Sequence, residues 1–563
     1  MTAPRLLLGL AAVAIGFAAA DTYVVVLALP DMMTSAGLGV DEIQRAAPIV
    51  SGFLLGYVGV LPLIGRLADL RGRVPVLMGC LVVFVVGSVV TAGAYDLTTI
   101  VIGRFFQGLG GGGLIPPTLA LVADRWPPER RGLPLGIVGA VQELGSVIGP
   151  LYGAAVLAFG SWHTIFWLNA AVGLVIAAAL WPQRGSRRPV RDVTGMLLLA
   201  ISAAAALLVM LQPSVLVTDV TWGLPFVPFT GENRWWSPLG LASIGAFIGF
   251  VVRQATARRP LIDGRGWRTA LAQTDLAGAL AMSITLGAVI ITFASAEHES
   301  GGLSPAAPWL LAIGAVSAVL FVWRQRTAAA PLIPRGTLGH RAAAGAVAVS
   351  FFIGCALIAA LVDIPFFARL TVARDSQFDA ALVLIRFLIA LPIGAILGGW
   401  LCRRVSPAPL TAIGMFVAAG AFALMSRWEA DALEHLSSDL VLITAGLAFG
   451  LVIAPVNVAL LNHTADAVHG LASALLVVAR MVGMLVGVSA LSALGLWAFR
   501  SAMADLPPVE ELCGSASACP AYNAAVLDAG ISQLQAVFAG AAVSAAIAAL
   551  LAAVTLRRSA TTT

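Results

Sequence analysis

The sequence predicts an all-α integral membrane protein of about sixteen transmembrane helices, and three observations carry that prediction. Of 563 residues, 60% are hydrophobic and only 11% charged, a balance that no ordinary water-exposed surface has. Apolar runs of roughly 18 to 28 residues recur from end to end, each long enough to span about 30 Å of hydrocarbon as a helix. Period-2 alternation is absent, which argues against an outer-membrane β-barrel.

The first run, 5–32, opens as MTAPRLLLGLAAVAIGFAAA and has the outline of a secretory signal. Apolar sequence resumes after Asp21 as TYVVVLALP, so it reads as an uncleaved first helix. Further runs fall at 43–68, 74–95, 98–123, 133–157 and 161–181, then at 193–215, 236–257, 269–296 and 307–324. The last six are 341–368, 378–402, 408–427, 439–462, 470–498 and 531–556. Arg-rich connections, among them Arg66/Arg71/Arg73, Arg125/Arg130/Arg131, Arg403/Arg404 and Arg557/Arg558, alternate with loops richer in acids such as Glu297/Glu299. An even number of helices and this bias place both termini on the cytoplasmic side of an inner (plasma) membrane.

All 33 basic residues are Arg, which removes Schiff-base chemistry and P-loop nucleotide binding, since both need lysine. The net charge of +5 sits beside membrane segments, as in RGSRRPVR (184–191), and reads as positive-inside anchoring rather than nucleic-acid binding. No nucleophile elbow, zincin helix or His-rich cluster is present, so an enzyme, a cofactor and a metal are not expected. His463, Asp466 and His469 read as a solvated turn. Loop 499–530 holds Cys513 and Cys519, a pair open to a disulfide in an oxidising compartment, whereas Cys80, Cys355 and Cys402 read as packing residues. Loop 214–236 is rich in β-branched and aromatic residues and suits a small hairpin lying on the membrane surface.

An internal repeat explains the helix count. DVTGMLLLAIS, a loop, a second helix and RRPLIDGRG are followed by TDLAGALAMSITLG, a loop, a second helix and AAPLIPRG. Two helical pairs, each closed by Pro-Leu-Ile and then Arg-Gly, read as a tandem duplication, and their charge-poor helices suit a spacer or lateral-packing role.

Between the second and third runs stands GRLADLRGRVPVL (65–77), in which Gly65, Asp69, Arg71, Gly72 and Arg73 form a latch: Asp69 can cap a helix end while the Arg residues bind carboxylates. The fourth run supplies GRFFQGLGGGG (103–113), whose Gly110–Gly113 stretch permits close helix approach. The fifth supplies Gly139, Gly145, Gly149, Pro150 and Gly153 at antiporter-like spacing, with the Gly149-Pro150 pair expected to break the helix. With DTYVVVLALP (21–30), these motifs resemble the major facilitator superfamily and its fourteen-helix drug:proton antiporter branch, and QELGSVIGPLYG, RFLIALPIGAILGGWL (386–401) and VVARMVGMLVGVSALSALGLW (477–497) resemble lipid exporters of that branch.

The resemblance implies a major facilitator fold of two six-helix bundles, 1–182 and 339–563, with four inserted linker helices over 183–338 where the branch carries two. It implies a monomeric secondary exporter of membrane lipids or amphiphiles, coupled to protons or sodium, with a periplasmic lipoprotein as acceptor; export of small drugs or dyes is the alternative. Four intramembrane charges suit ion coupling. Asp21 is expected to meet Arg104 within one half, and Glu143 to face Arg480 between halves. A buried carboxylate that exchanges a proton when its Arg pair opens supplies the chemistry of a coupled exchanger. A permanent strut is the competing role for Glu143. Arg386 is expected to snorkel from its apolar run.

Overall fold

The computed structural model describes residues 3–39, 43–184, 192–231, 233–257, 260–294, 306–373, 376–513 and 519–557. Glu297, Glu299, Arg558 and most of 184–191 lie outside the described residues. Among the described residues sixteen helices are long and apolar enough to cross a membrane. We number them α1 (Ala3–Ser35), α2 (Ile43–Gly59 continuing as Leu61–Arg71), α3 (Arg73–Ala92), α4 (Leu97–Gly113 continuing as Ile115–Arg125), α5 (Gly132–Phe159) and α6 (Trp162–Leu180). Next come α7 (Val193–Leu211), α8 (Pro238–Thr256), α9 (Leu276–Ala294) and α10 (Ala307–Thr327). The last six are α11 (Arg341–Leu370), α12 (Gln377–Leu401), α13 (Pro407–Met425), α14 (Leu436–Asn462), α15 (His469–Ala504) and α16 (Pro520–Thr555).

Local chemistry explains the interruptions. The second segments of α2 and α4 both start with proline in their first turn, Pro62 and Pro116, where a missing N–H costs nothing. By contrast α5 runs unbroken through Pro150, correcting the expected break. Gly149 at that point rests on the backbone of α1, and such packing against a neighbouring helix holds the ladder in line.

Two six-helix bundles share one packing scheme. The contacts α1–α5, α2–α4 and α3–α6 recur as α11–α15, α12–α14 and α13–α16. The halves meet through α5 against α12 and through α2 against α15.

The four linker helices repeat each other's hydrogen bonds. Asp192 caps α7 through the Gly195 N–H and pairs with Arg253 at 3.1 Å; Asp275 caps α9 through the Gly278 N–H and pairs with Arg324 at 2.9 Å. Ser202 in α7 bonds the Ser243 carbonyl of α8, as Thr285 in α9 bonds that of Gly314 in α10. Gln254 and Gln325 each accept the amide of the Ile in Pro-Leu-Ile.

The loop 214–236 forms short helical turns at Ser214–Val217, Leu224–Phe226 and Arg234–Trp236 instead of a strand ladder. One hairpin-like bond remains, Phe229 N–H to the Trp236 carbonyl at 3.1 Å. Pro225 and Pro228 lack ladder donors, and Asp219 draws the Thr221 and Trp222 amides into a turn. Cys513 and Cys519 are joined as a disulfide.

Candidate functional site

The amino-terminal bundle folds around a buried polar knot to which every one of its helices contributes. Asp21 of α1 pairs with Arg104 of α4 at 2.7 Å, and its other oxygen accepts from Asn169 of α6 and Gln107 of α4. Gln107 donates to Ser88 of α3 at 2.9 Å and accepts from Arg104 at 3.0 Å. Thr91 of α3 and Tyr152 of α5 close the shell through Gln107 and Asn169. The Arg104 guanidinium lies 4.2 Å from the Phe53 ring of α2, which faces it with π density. Asp21 and Arg104 are each 1% exposed, so the pair is sealed inside one half rather than opening between the two.

Glu143 and Arg480 are placed differently. Both line one small cavity between the halves, with Ile115 and Leu119 of α4, Gly139 of α5, Ile453 and Asn457 of α14 and Met481 of α15. No salt bridge joins them among the described residues, although pairing was expected, and the Arg480 Nε is buried without a partner. Helix α5 makes its close approach to α12 and α14, through Gly132, Gly136 and Gly139, while α15 packs on α2 and α4. The two charges therefore sit on opposite walls of the seam.

The glycines of the antiporter-like motif divide by neighbour. A Cβ at Gly145 or Gly149 would lie 2.2 or 2.5 Å from a carbonyl of α1, and at Gly139 would strike Ile453 of the other half. They put α5 in backbone contact with α1 and against the Ile453 side chain of the opposite bundle, while Gly132 and Gly136 supply the backbone contact with α12. Gly108 and Gly112 of α4 do the same against Phe53 and Tyr57 of α2, and Gly110 against α3.

At the Arg-rich face the halves are latched. The Asp69 carboxylate accepts from Gly470 N at 2.8 Å and Leu471 N at 2.9 Å, which sets a negative charge on the positive end of α15. Arg73 holds Asp69, lies 3.3 Å from Asp124 and donates to the Asp466 carbonyl. Gly65 and Gly470 allow this contact by backbone touching backbone. Arg131 adds bonds to Asn462 and the Leu461 carbonyl. Arg71 turns away to Asp263 of the linker at 2.6 Å, with Gly72 at a φ of 102° between the two arginines.

Sequence reasoning left several residues unnamed. Gln107 lies inside the quoted motif, three residues from Arg104 and so on its face of the helix; Asn169 is a lone amide in an apolar run. Asp363 meets the criterion that singled out Glu143, an acid in a membrane run, and stands half-buried in α11. Arg386 has a partner that the sequence did not name, Asp439 in the first turn of α14 at 2.5 Å. His469 is not in a solvated turn but buried, its Nε2 within 3.0 Å of the Leu461 carbonyl, because α15 begins there.

Residues 11–324 match the Major Facilitator Superfamily. The chain belongs to the major facilitator superfamily. This family places it among multi-pass membrane transport proteins. It is 37% identical over 512 residues to a triacylglyceride transporter of Mycolicibacterium hassiacum, covering 87% of this chain and 80% of that one. A probable triacylglyceride transporter of Mycobacterium leprae is 33% identical over 91% of this chain and 89% of its own. Among solved major facilitator structures, the human organic anion transporter MFSD10 superposes with a TM-score of 0.54 at 14% identity, covering 98% of this chain and 100% of its own. The proton:xylose symporter XylE superposes equally well at 13% identity over 97% of this chain and 94% of its own.

Proposed function

We propose that this protein is an ion-coupled exporter of lipids, of the triacylglycerol class that its relatives' names carry, working by alternating access in an inner membrane. The observation that carries the reading is the latch. Among the described residues the hydrogen bonds between the halves lie at the Arg-rich face, in the groups Asp69, Arg73 and Arg131, so that face is shut and its opening is the step that alternates. The Arg-rich face, with both termini, is cytoplasmic. Residues 1–182 and 339–563 are the rocking halves, 183–338 the linker, and the protein acts as a monomer.

Protons, rather than sodium, suit a site made of carboxylate, amides and guanidinium with little freedom to form an oxygen cage. Protonation of Asp21 would loosen the knot that sets the α1–α5 and α3–α4 packing, and protonation of Glu143 would change the charge on the seam. One proton crossing 100 mV gains about 2.3 kcal/mol, comparable with the population shift needed. A periplasmic lipoprotein would accept the exported lipid. Glu143, held without a salt bridge on the cavity wall, is the feature that favours the alternative cargo, a small cationic drug or dye.

Liposomes holding the protein, a fluorescent triacylglycerol and an imposed pH gradient test the reading. Gradient-driven lipid movement is expected, reduced at least tenfold in Asp21→Asn and several-fold in Glu143→Gln. Movement that ignores the gradient in the unmodified protein would refute coupling.

A further inference from the structure

The four linker helices are not equivalent. Buried residues make up 44% of the core of α9 but 17 to 28% of α7, α8 and α10. Helix α9 lies against both α2 and α15, so it bridges the seam between the halves. Ile290 and Leu286, with Met282 beside them, join the apolar cluster that also holds Val477, Val478, Val482 and Leu485 of α15. The opposite seam, α5 against α12, is closed by direct glycine contacts at Gly132, Gly136 and Gly399.

What holds α9 to each neighbour differs in kind. To α2 it is tied by Ser283 Oγ, which donates to the Gly59 carbonyl at 2.7 Å, and by Gly287 seated under Leu55. The segment leading into α9 is tied by Asp263 to Arg71, whose guanidinium also lies 5.8 Å from the Trp267 ring. Between α9 and α15 there is no hydrogen bond or ion pair among the described residues, and Leu286 and Ile290 share an apolar cluster with Val477 and Val478. Apolar contact can be exchanged for lipid tails at little loss, whereas a hydroxyl parted from its acceptor in hydrocarbon is left unsatisfied. The duplication makes the difference readable: Ser283 and Asp263 stand where the other copy has Ala200 and Pro334. Ser283 thus belongs to the second unit and Asp263 to the end of the first, and both ties converge on the linker helix that lies at the seam.

We propose that α9 is a side gate: it seals the α2–α15 seam from the bilayer, moves with the amino-terminal half, and on opening of the Arg-rich face parts from α15 to admit acyl chains. This rests on the alternating-access reading. Met282, Leu286 and Ile290 of α9 and Val482 and Leu485 of α15 belong to one apolar cluster, the chemistry that an acyl chain requires.

Cysteine crosslinking tests it in the full chain, with Cys80, Cys355 and Cys402 replaced by Ala and the oxidised background as control. The Leu55→Cys/Gly287→Cys lock of α9 to α2 is expected to leave gradient-driven lipid movement within about twofold. A lock of α9 to α15, found by pairing Met282→Cys, Leu286→Cys or Ile290→Cys with Val482→Cys or Leu485→Cys, is expected to abolish it, and reduction to restore it. Tolerance of the α9–α15 lock, loss through the α9–α2 lock, or no α9–α15 pair that bonds would each overturn the gate. Gly139→Cys/Ile453→Cys, with Cβ positions 3.7 Å apart across the halves, separates the two readings. Transport that survives that lock defeats alternating access itself, whereas transport lost there but kept in the α9–α15 lock defeats only the gate.

Discussion

The two bundles pack alike but bury different chemistry. The amino-terminal half closes on Asp21, Arg104, Gln107, Asn169, Ser88 and Thr91, all 1% exposed or less. At the heart of the carboxy-terminal half, Phe367, Phe387, Phe422, Phe449, Phe538 and Trp428 meet with ring centroids 5.4 to 6.4 Å apart. A ring cluster has one favoured packing that a proton does not alter. A carboxylate shared among a guanidinium and two amides has a different set of bonds in each protonation state. A change of ionisation thus has a network to rearrange in the first half, and the second half offers it a stiff platform.

Arg104→Ala is the largest test of that contrast. It leaves Asp21 as a buried charge without its cation, a loss of about 3–5 kcal/mol, visible as a collapse of the melting temperature in detergent. Asp21→Leu with Arg104→Met, which replaces the pair by apolar groups, is expected to recover most of that stability while lipid movement stops responding to the gradient. Normal gradient response in the double variant would reduce the knot to a packing element. Phe538→Ala opens a cavity in the ring cluster and lowers stability by a similar amount, about 3–5 kcal/mol. Its ratio of lipid movement with and without the gradient should stay unchanged, and a changed ratio would mean that the platform shares in coupling.

A smaller effect separates contact from composition. Gly149→Ala brings a methyl 2.5 Å from the Ala20 carbonyl of α1, and overpacking of this kind costs about 1–3 kcal/mol. Gly420→Ala in α13, where a Cβ meets nothing within 4 Å, should instead be neutral or raise the melting temperature slightly. Equal melting of the two variants would show that α1–α5 contact is looser than its geometry.

Legibility followed the range of the interactions. Hydropathy and the internal repeat yielded the sixteen spans and the linker duplication, since length, periodicity and residue type carry them, whereas the meeting of Asp21 with Arg104 was implied by the family resemblance of the motifs. Placement of the knot's amides was harder. Gln107 could have been found from its spacing to Arg104, but nothing local says that Asn169 turns toward Asp21 148 positions away. The resemblance set Glu143 facing Arg480 between the halves, but only the packing of α5 on α12 and of α15 on α2 leaves them lining one cavity without a salt bridge. Arg71 was read as part of a latch between helices; its bond to Asp263 depends on how the linker folds back, 192 positions along the chain.

The smallest expected effect lies outside both bundles, at the start of α7. The Asp192 carboxyl is held below its usual range by the Gly195 N–H it accepts and by Arg253 beside it. A carboxylate lowered in the folded state contributes at every pH above its unfolded value, about 3.9, and that contribution is lost as pH falls through the folded value. Amide exchange in the first turn of α7, corrected for the intrinsic rate, should therefore match at pH 7 and pH 5 and rise below about pH 4. Asp192→Asn keeps an acceptor for the cap but carries no titrating charge, so its exchange should be uniform over the same range. A rise in the unmodified protein already between pH 7 and pH 5 would place the titrating group elsewhere. A rise confined below pH 4 leaves any gradient-dependent change at neutral pH to residues inside the halves, where the contrast between knot and rings is decided.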